Sequence, residues 1–217
     1  MSKNVTVVGA GLVGSLLSIA LQRKGISVTL LEKRSDPRKV DLYQGRSINL
    51  ALSQRGILAL EAAGIMEEVR PLCTPMFGRL MHGLQGEKSS QPYGKKNQCI
   101  NSISRNGLNQ LLLDQAEKAG VSFQFGKKCE SVDPNTTSLV LEGGKKIQSD
   151  LIIGTDGAYS MVRKSIQNIG RFDFSQSYID HGYKEIEIPA KDGAFALEPD
   201  HCRIAKSQIF RCSGWIF

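Results

Sequence analysis

The sequence predicts an α/β fold in which a parallel sheet with packed helices is followed by the beginning of an antiparallel sheet. Three observations carry this prediction. Residues 4–32 have the pattern of a strand, a helix and a second strand, 151–154 form a short apolar run typical of a buried parallel strand, and 183–188 alternate apolar with charged side chains. A crossover as short as the first one implies parallel strands and a right-handed connection.

Length, composition and charge agree with a globular protein. The chain has 217 residues, 41% of them hydrophobic and 23% charged, which excludes disordered, collagen-like and coiled-coil classes. The net charge of +7 comes from scattered basic pairs, which favours small anionic ligands over nucleic acid. The five cysteines show no C-x-x-C spacing and the three histidines are isolated, so neither a disulfide framework nor a metal site is expected.

The elements of the first half follow in order along the chain. A β-branched run stops at Gly9, apolar residues then recur at helical spacing as far as Gly25, and a second strand follows it. Ser53 is a plausible N-cap for a helix that continues to Ala63. Residues 70–98 contain three prolines and scattered glycines around a strand-like piece at 79–84, which indicates an excursion from the core.

The second half returns to the core and then leaves it. We expect a helix at 105–119, a strand at 121–125, a hairpin marked by two glycines within 129–149 and a buried strand at 151–154. The alternating pattern after residue 171 indicates a second domain. The sequence thus predicts one domain over 1–170, with an excursion at 71–97 toward the other, and the start of a second domain over 171–217.

Residues 9–14 read G-A-G-L-V-G, a G-x-G-x-x-G pattern directly after a strand and at the start of a helix. Gly9 permits a tight turn, Gly11 lets the backbone approach a pyrophosphate, and Gly14 lets the helix pack closely on the sheet. The helix N-terminus adds free N–H groups and a partial positive charge. Glu32, at the end of the second strand, can accept ribose hydroxyls and repels a 2′-phosphate, so FAD or NAD is expected at this turn rather than NADP.

Residues 154–163 read G-T-D-G-A-Y-S-M-V-R after an apolar strand and before a helix. This segment resembles the second fingerprint of flavin-dependent aromatic hydroxylases, G-x-D-G-x-x-S-x-x-R. The family's Asp, here Asp156, holds the ribityl or pyrophosphate region of the flavin and faces the nicotinamide coenzyme. The alternative is an ordinary capped strand-to-helix turn, because Asp and Ser are both good N-cap residues.

Four further segments resemble the kynurenine 3-monooxygenase family of these hydroxylases, and the resemblance runs from residue 4 to about 200. They are Q-G-R-S-I-N-L-A-L-S at 44–53, P-Y-G at 92–94, S-I-S-R at 102–105 and F-D-F-S-Q at 172–176. The resemblance implies a Rossmann-like FAD-binding domain of the aromatic hydroxylase type, with a parallel sheet, helices and an antiparallel ribbon. An incomplete antiparallel-sheet substrate domain would follow it.

The same resemblance implies an enzyme with FAD as cofactor and NADPH as reductant that uses O2 to hydroxylate L-kynurenine to 3-hydroxykynurenine. The reaction belongs to tryptophan catabolism, on the route to quinolinate and NAD. No catalytic side chain is assigned, because the cofactor carries the oxygen chemistry while the protein binds and orients. In this family no separate Rossmann domain binds NADPH, and NADPH does not occupy the first glycine turn. The repulsion of a 2′-phosphate by Glu32 is therefore compatible with NADPH as reductant.

The resemblance assigns two substrate contacts. Arg79 would clamp the substrate carboxylate through two parallel hydrogen bonds, and Tyr93 would add a hydroxyl. Without the family, Arg79 is an ordinary strand residue at the surface and Tyr93 a loop aromatic beside a proline. Arg105 would reach the flavin phosphates from the start of its helix, and is otherwise a solvated cation on a helix face.

The resemblance also assigns cofactor contacts, several of them through the main chain. They fall on Gly9, Gly11, Val13, Gly14, Leu31, Glu32, Lys33, Arg34, Ala51, Arg105, Cys129, Asp156 and Met161. Main-chain contacts tolerate any side chain, so two alternatives stay open. Arg34 also suits a solvated face, and Cys129 suits a core position better than that of a reactive thiol.

After residue 199 the sequence departs from the family pattern. It lacks the third flavin fingerprint, most of the substrate domain and the C-terminal region that anchors animal members in the mitochondrial outer membrane, facing the cytosol. We therefore expect this chain to be soluble, to retain flavin weakly and to have little activity by itself. Two other functions stay open: an NAD-dependent dehydrogenase, in which the second fingerprint has no role, and a non-catalytic nucleotide-binding fragment that pairs with or regulates a complete enzyme.

Overall fold

The computed structural model describes residues 3–39, 49–96, 98–178, 185–186, 192–193, 201–206 and 213–216. The chain divides into two compact units. The first unit comprises residues 1–47, 59–69 and 105–174, and the second comprises 48–58, 70–104 and 175–217.

Short strands make up most of the regular secondary structure in the described part of the chain. The strands are β1 (Asn4–Val8), β2 (Ser27–Glu32), β3 (Asn49–Leu52), β4 (Cys73–Met76), β5 (Gly78–His82), β6 (Lys88–Pro92), β7 (Ile100–Ser104), β8 (Ser122–Phe125), β9 (Cys129–Asp133), β10 (Ser138–Leu141), β11 (Lys146–Gln148), β12 (Leu151–Gly154), β13 (Glu185–Ile186), β14 (His201–Lys206) and β15 (Ser213–Ile216). The helices are α1 (Leu12–Arg23), α2 (Gln54–Ala62), α3 (Met66–Val69), α4 (Arg105–Lys118) and α5 (Met161–Gln167), with a 3₁₀ turn at Arg70–Leu72.

A parallel sheet with the strand order β12-β1-β2-β8 forms the centre of the first unit. Val7 and Leu30 are completely buried in its two central strands, as expected for β-branched and aliphatic runs covered on both faces. The helices α1 and α4 contact each other. An antiparallel ribbon with the order β11-β10-β9 joins β8 to β12, and Leu139 and Leu141 of β10 are buried with Val8 and Leu31 in one apolar cluster.

The described residues of the second unit form two sheets. One has the strand order β13-β15-β14-β5-β6, and the other is antiparallel with the order β3-β7-β4. The strand β14 lies parallel to β5, with Cys202 opposite Arg79, and β15 pairs antiparallel with β14. The segment after residue 199, which departs from the family pattern, thus supplies β14 directly beside β5, the strand of Arg79, and β15 on the other side of β14.

The α/β fold with a parallel sheet and an antiparallel ribbon is confirmed. The first strand-helix-strand unit, the long helix α4 and the glycine hairpin all form where the sequence predicts them. Element ends differ by one or two residues: the helix expected to follow an N-cap at Ser53 and to continue to Ala63 is Gln54–Ala62, and the strand expected at 79–84 is Gly78–His82. Within the strand expected at 183–188, only Glu185–Ile186 is described, and the remainder lies outside the described residues.

The strand β12 forms at the expected residues, but the prediction that it is buried is wrong. It lies at one end of the strand order of the parallel sheet, beside β1. Leu151 is 49% exposed, and Ile152 and Ile153 are half-buried. An apolar run favours a buried strand, yet an edge strand has a neighbour on one side only, and periodicity does not distinguish the two positions.

The domain boundaries stay a prediction.

None of the helices in the described part of the chain is both long and apolar enough to cross a lipid bilayer.

Truncation of a buried leucine in β2 tests the position of the core. Leu30 is 0% exposed in a central strand, whereas Leu58 of α2 is 55% exposed. Leu30→Ala should therefore lower the free energy of unfolding by about 2 to 5 kcal/mol, while Leu58→Ala should change it by about 0.5 kcal/mol. Urea denaturation followed by circular dichroism measures both, and equal effects would contradict this arrangement of the sheet.

Candidate functional site

The first glycine turn connects β1 to α1 at the carboxyl end of the parallel sheet. Gly9 has a φ of 106°, a conformation that favours glycine, and its N–H donates to the Leu31 carbonyl at 2.7 Å. A Cβ at Gly9 would lie 2.7 Å from the carbonyl oxygen of Thr155. Both the backbone conformation and the neighbouring chain therefore require glycine here.

Packing within the protein requires glycine at position 14 but not at position 11. Gly14 is buried, and a Cβ there would lie 1.9 Å from the Gly9 carbonyl oxygen. Gly11 has an ordinary extended backbone, with φ −75° and ψ −175°, and a Cβ there would have no atom of the described residues within 4 Å. Packing within the protein therefore explains Gly14 but leaves open space at Gly11, as expected if a ligand approaches the backbone there.

The N-terminus of α1 is open to a ligand. Gly11 is its N-cap residue, and within the described part of the chain no side chain caps it. Val13 in the first turn is 67% exposed. The N–H groups of a helix's first turn have no intrahelical acceptors and carry a partial positive charge, so this end can bind a phosphate.

The Glu32 carboxylate is fixed beside this turn by two main-chain donors. Its Oε2 accepts the Ala10 N–H at 3.0 Å, and its Oε1 accepts the Arg34 N–H at 3.0 Å. A carboxylate has about four lone-pair positions, so capacity for two ribose hydroxyls remains. Leu31 is completely buried behind this position, whereas Lys33 and Arg34 are exposed.

The second turn, which follows β12, lies directly against the first. The strands β1 and β12 are parallel neighbours with Val8 opposite Gly154, so both chains leave the sheet at the same edge. The Thr155 N–H donates to the Val8 carbonyl at 2.8 Å, and the Thr155 hydroxyl lies 2.9 Å from the carbonyl oxygens of both Val8 and Gly9. The two fingerprint turns therefore form one continuous surface.

The Asp156 carboxylate organises the start of α5. Its Oδ2 accepts the Met161 N–H at 2.7 Å, and its Oδ1 accepts the Ser160 hydroxyl at 2.5 Å. Ser160 is the N-cap residue and accepts the Arg163 N–H at 3.0 Å. The capped turn that the sequence left as an alternative is thus present, and it also fixes the orientation of Asp156. An open groove runs along it, lined by Gly154, Asp156, Gly157, Ser160, Val162, Arg163, Ile166 and Phe172.

Cys129 lies in the core at the start of β9, with 6% of its surface exposed. It packs with Val8 and Leu31 in the buried apolar cluster of the first unit. Burial, and to a lesser extent the negative charge of Asp156, raise the pKa of its thiol to about 11. The side chain agrees with the core interpretation, and the main-chain contact to the cofactor stays a prediction.

The remaining residues assigned to the site lie on different elements. Arg105 is exposed as the first residue of α4 in the first unit, and Ala51 is exposed on β3 in the second unit. In the second unit, the Arg79 guanidinium carbon lies 5.3 Å from the ring centroid of Tyr93, a cation–π distance. The Tyr93 N–H donates to the Phe77 carbonyl at 3.0 Å, which fixes the loop. The structure therefore brings together the two residues assigned to the substrate.

The sequence patterns do not point to Thr155, although its hydroxyl and amide join the two turns. The signal available is its place in the second fingerprint between Gly154 and Asp156. A short hydroxyl residue that directly follows a parallel strand can donate to the last carbonyl of a neighbouring strand. The sequence near Thr155 does not show which strand that neighbour is.

Comparison with known proteins gives a family and several relatives. A family model described as "FAD binding domain" matches residues 2–185. The chain is 44% identical over 212 residues to kynurenine 3-monooxygenase of Sus scrofa, covering 95% of this chain and 45% of that protein. It is 45% identical over 202 residues to kynurenine 3-monooxygenase of Christiangramia forsetii, covering 90% and 45%. The chain thus spans about half the length of these relatives.

Solved structures show the same fold. The tetrameric form of 2-methyl-3-hydroxypyridine-5-carboxylic acid oxygenase superposes with a TM-score of 0.66 at 26% identity, covering 76% of this chain and 42% of that one. The p-nitrophenol 4-monooxygenase PnpA of Pseudomonas putida superposes with a TM-score of 0.64 at 20% identity, covering 76% and 43%. At that identity the second likeness concerns the fold alone.

Alanine at the two glycines of the first turn should separate ligand binding from folding. Gly11→Ala places a methyl group in open space, so it should cost about 1 kcal/mol of stability or less but weaken FAD binding about tenfold or more. Gly14→Ala overlaps the Gly9 carbonyl and should destabilise the fold by about 3 kcal/mol. Thermal denaturation and flavin fluorescence quenching measure these quantities. If the Gly11→Ala variant binds FAD with unchanged affinity, the pyrophosphate does not lie at this turn.

The buried thiol of Cys129 should resist alkylation. A pKa raised to about 11 leaves almost no thiolate at pH 8, so iodoacetamide should modify exposed Cys99 but not Cys129 in the folded protein. Because the folded state holds this proton more tightly than the unfolded state does, the associated stability is present below about pH 9 and is lost as the pH rises toward 11. Peptide mass spectrometry measures the labelling, and equal labelling of both cysteines would contradict the burial.

Proposed function

The chain belongs to the FAD binding domain family, and we propose that it is the flavin-binding part of a kynurenine 3-monooxygenase. In this proposal the whole protein uses NADPH and O2 to hydroxylate L-kynurenine to 3-hydroxykynurenine, in tryptophan catabolism on the route to quinolinate and NAD. The observation that carries the proposal is the direct contact between the two fingerprint turns, through Thr155 and the carbonyls of Val8 and Gly9. A dinucleotide that spans both turns needs this continuous surface.

The residues of the first unit fit FAD. Open space at Gly11 and the uncapped start of α1 suit a pyrophosphate, and the free lone pairs of Glu32 suit a ribose. When bound, FAD supplies the redox and oxygen chemistry. An NAD-dependent dehydrogenase would also use the first turn, but it gives no role to the second turn with its fixed carboxylate at Asp156.

The protein's own contribution is to bind and orient. The α1 N-terminus would neutralise the phosphates, with Val13 and Gly14 in its first turn, and Glu32 would fix the ribose. The main chain at Leu31, Lys33, Arg34 and Cys129 would surround the adenosine. The assignment of Ala51, on β3, to the cofactor stays a prediction. Met161 and Asp156 would lie along the flavin half, and Arg105 would add a positive charge near the phosphates.

Arg79 and Tyr93 would bind the amino-acid end of L-kynurenine. A guanidinium offers two parallel N–H donors to a carboxylate, and stacking on an aromatic ring limits the directions in which they point. The ring of Tyr93 lies within cation–π distance of Arg79, so the guanidinium has an orienting partner on the protein. The Tyr93 hydroxyl adds one more hydrogen-bonding group.

If the whole protein is an animal member of the family, we expect it to be attached to the mitochondrial outer membrane, facing the cytosol. The described helices of this chain supply no membrane span.

Ligand binding to the purified chain tests the proposal directly. FAD should bind, and its flavin fluorescence should change when the protein binds it. NAD should compete with FAD weakly or not at all. L-Kynurenine should then perturb the absorbance of the bound flavin and stimulate NADPH oxidation in a form of the protein that spans the whole family length. Binding of NAD in preference to FAD would favour the dehydrogenase. Normal FAD binding without any effect of L-kynurenine would favour a non-catalytic nucleotide-binding protein.

Removal of the Arg79 guanidinium should affect the substrate and not the cofactor. The loss of one desolvated bidentate ion pair costs about 2 to 5 kcal/mol, so Arg79→Ala should raise the L-kynurenine dissociation constant about 30-fold or more and leave FAD affinity unchanged. Lys88→Ala is a matched control, because Lys88 is an exposed cation on the neighbouring strand β6. A similar loss of substrate affinity in both variants would show that general charge, rather than a clamp at Arg79, attracts the substrate.

A further inference from the structure

The loop that follows β2 is held by an arginine that the proposed function does not use. Residues 33–39 leave the end of β2 directly after Glu32, and Arg38 anchors them to α4. We propose that Arg38 is a positioning residue that keeps the Glu32 carboxylate oriented toward the ribose hydroxyls of the bound adenine nucleotide. The inference rests on the proposed function, because it assumes that an adenosine ribose lies at Glu32.

Arg38 connects three carboxylates through hydrogen bonds of ordinary length. Its Nε and Nη2 donate to the two oxygens of Asp36, at 2.9 and 2.8 Å. Its Nη1 donates to Asp114 at 2.9 Å and to Glu117 at 2.8 Å, both on α4. The guanidinium carbon also lies 5.6 Å from the ring centroid of Phe123 on β8. One side chain thus joins the loop, a helix and a strand.

The charge balance makes the arrangement depend on Arg38. Asp36 is only 6% exposed, and the Arg38 guanidinium lowers the pKa of its carboxyl group below the ordinary value. Asp114 and Glu117 are more than half exposed, so their ion pairs with Arg38 contribute less to stability than the pair with Asp36. Without the guanidinium, a nearly buried carboxylate would face two others and lose the cation that bonds to all three. Leaving one partner of a buried pair uncompensated is strongly unfavourable, so the loop would move away from α4.

Main-chain hydrogen bonds connect the loop to the Glu32 side chain. The Arg34 N–H donates to Glu32 Oε1 at 3.0 Å, and the Arg34 carbonyl accepts the Gly126 N–H at 3.0 Å. The loop is therefore held near β8 at Arg34 and near α4 at Arg38, only four residues apart. If the anchor at Arg38 is released, Arg34 is still held by the Gly126 N–H but by one anchor fewer, so its own N–H is less firmly positioned and the orientation of Glu32 depends more on the Ala10 N–H.

The expected consequence is a loss of ribose discrimination rather than a uniform loss of binding. A carboxylate held by two donors presents its free lone pairs in fixed directions, and a ligand that lacks a ribose hydroxyl then leaves one of them unpaired. A carboxylate held by one donor can rotate toward solvent, so the missing hydroxyl matters less. If the role of Arg38 were purely structural, its substitution would weaken the binding of nucleotides with and without that hydroxyl by the same factor.

The test compares ADP with 2′-deoxy-ADP as competitors of FAD on the purified chain. The parent protein should bind ADP about tenfold or more tightly than 2′-deoxy-ADP, as expected for a hydrogen bond to a charged group. Arg38→Met should reduce this ratio to about twofold or less, and Arg38→Lys, which keeps the charge but not the planar fork, should give an intermediate ratio. The control is Arg23→Met, because Arg23 donates to the Ala63 carbonyl in the same unit and anchors a different turn. It should keep the parent ratio.

Each outcome decides the proposal. A folded Arg38→Met variant that keeps the parent ratio overturns the positioning role and leaves the proposed function intact. If Arg38→Met does not fold, Asp114→Ala with Glu117→Ala removes both acceptors on α4 at exposed positions and releases the loop, and an unchanged ratio in that variant overturns the proposal equally. Failure of the parent protein to bind FAD or ADP overturns the proposed function, and the positioning role with it.

Discussion

The parallel pairing of β1 with β12 is the constraint on which the rest of the site depends. It brings Thr155 into hydrogen bonds with Val8 and Gly9, although Thr155 and Gly9 are 146 positions apart in the sequence. The approach is close enough that a side chain at Gly9 would collide with the main chain of Thr155, and one at Gly14 with the Thr155 hydroxyl. Because both strands end at the same sheet edge, the two fingerprint turns form a single surface, and an extended dinucleotide can contact both.

Main-chain donors orient both acidic side chains of this surface. Glu32 accepts the N–H groups of Ala10 and Arg34, and Asp156 accepts those of Met161 and Val162. A carboxylate held in this way loses little further freedom when a ligand binds, which lowers the entropic cost of recognition. The same bonds explain how two negative groups can border a site for an anionic dinucleotide: main-chain N–H dipoles offset part of their charge, and the α1 N-terminus contributes positive potential.

The local patterns are sufficient for most of the first unit. Gly9 and Gly25 end the first strand and the first helix as the sequence predicts, and the run at 151–154 forms a strand of the parallel sheet, although at its edge. Element ends are less accurate because hydrogen bonds to neighbouring strands decide where a strand stops. The residues after 199 have no recognisable pattern, yet β14 pairs with β5 there, since strand pairing needs only a compatible backbone.

The sequence by itself determined the chemistry of each turn and the order of the elements, because glycine spacing, caps and apolar periodicity are local properties of the chain. Only the tertiary structure decided which strands became neighbours, that Thr155 joins the two turns, that Tyr93 lies over Arg79, and that Arg38 collects carboxylates from its own loop and from α4. These contacts involve residues far apart in sequence, whose approach is settled by packing of the whole unit rather than by any local preference.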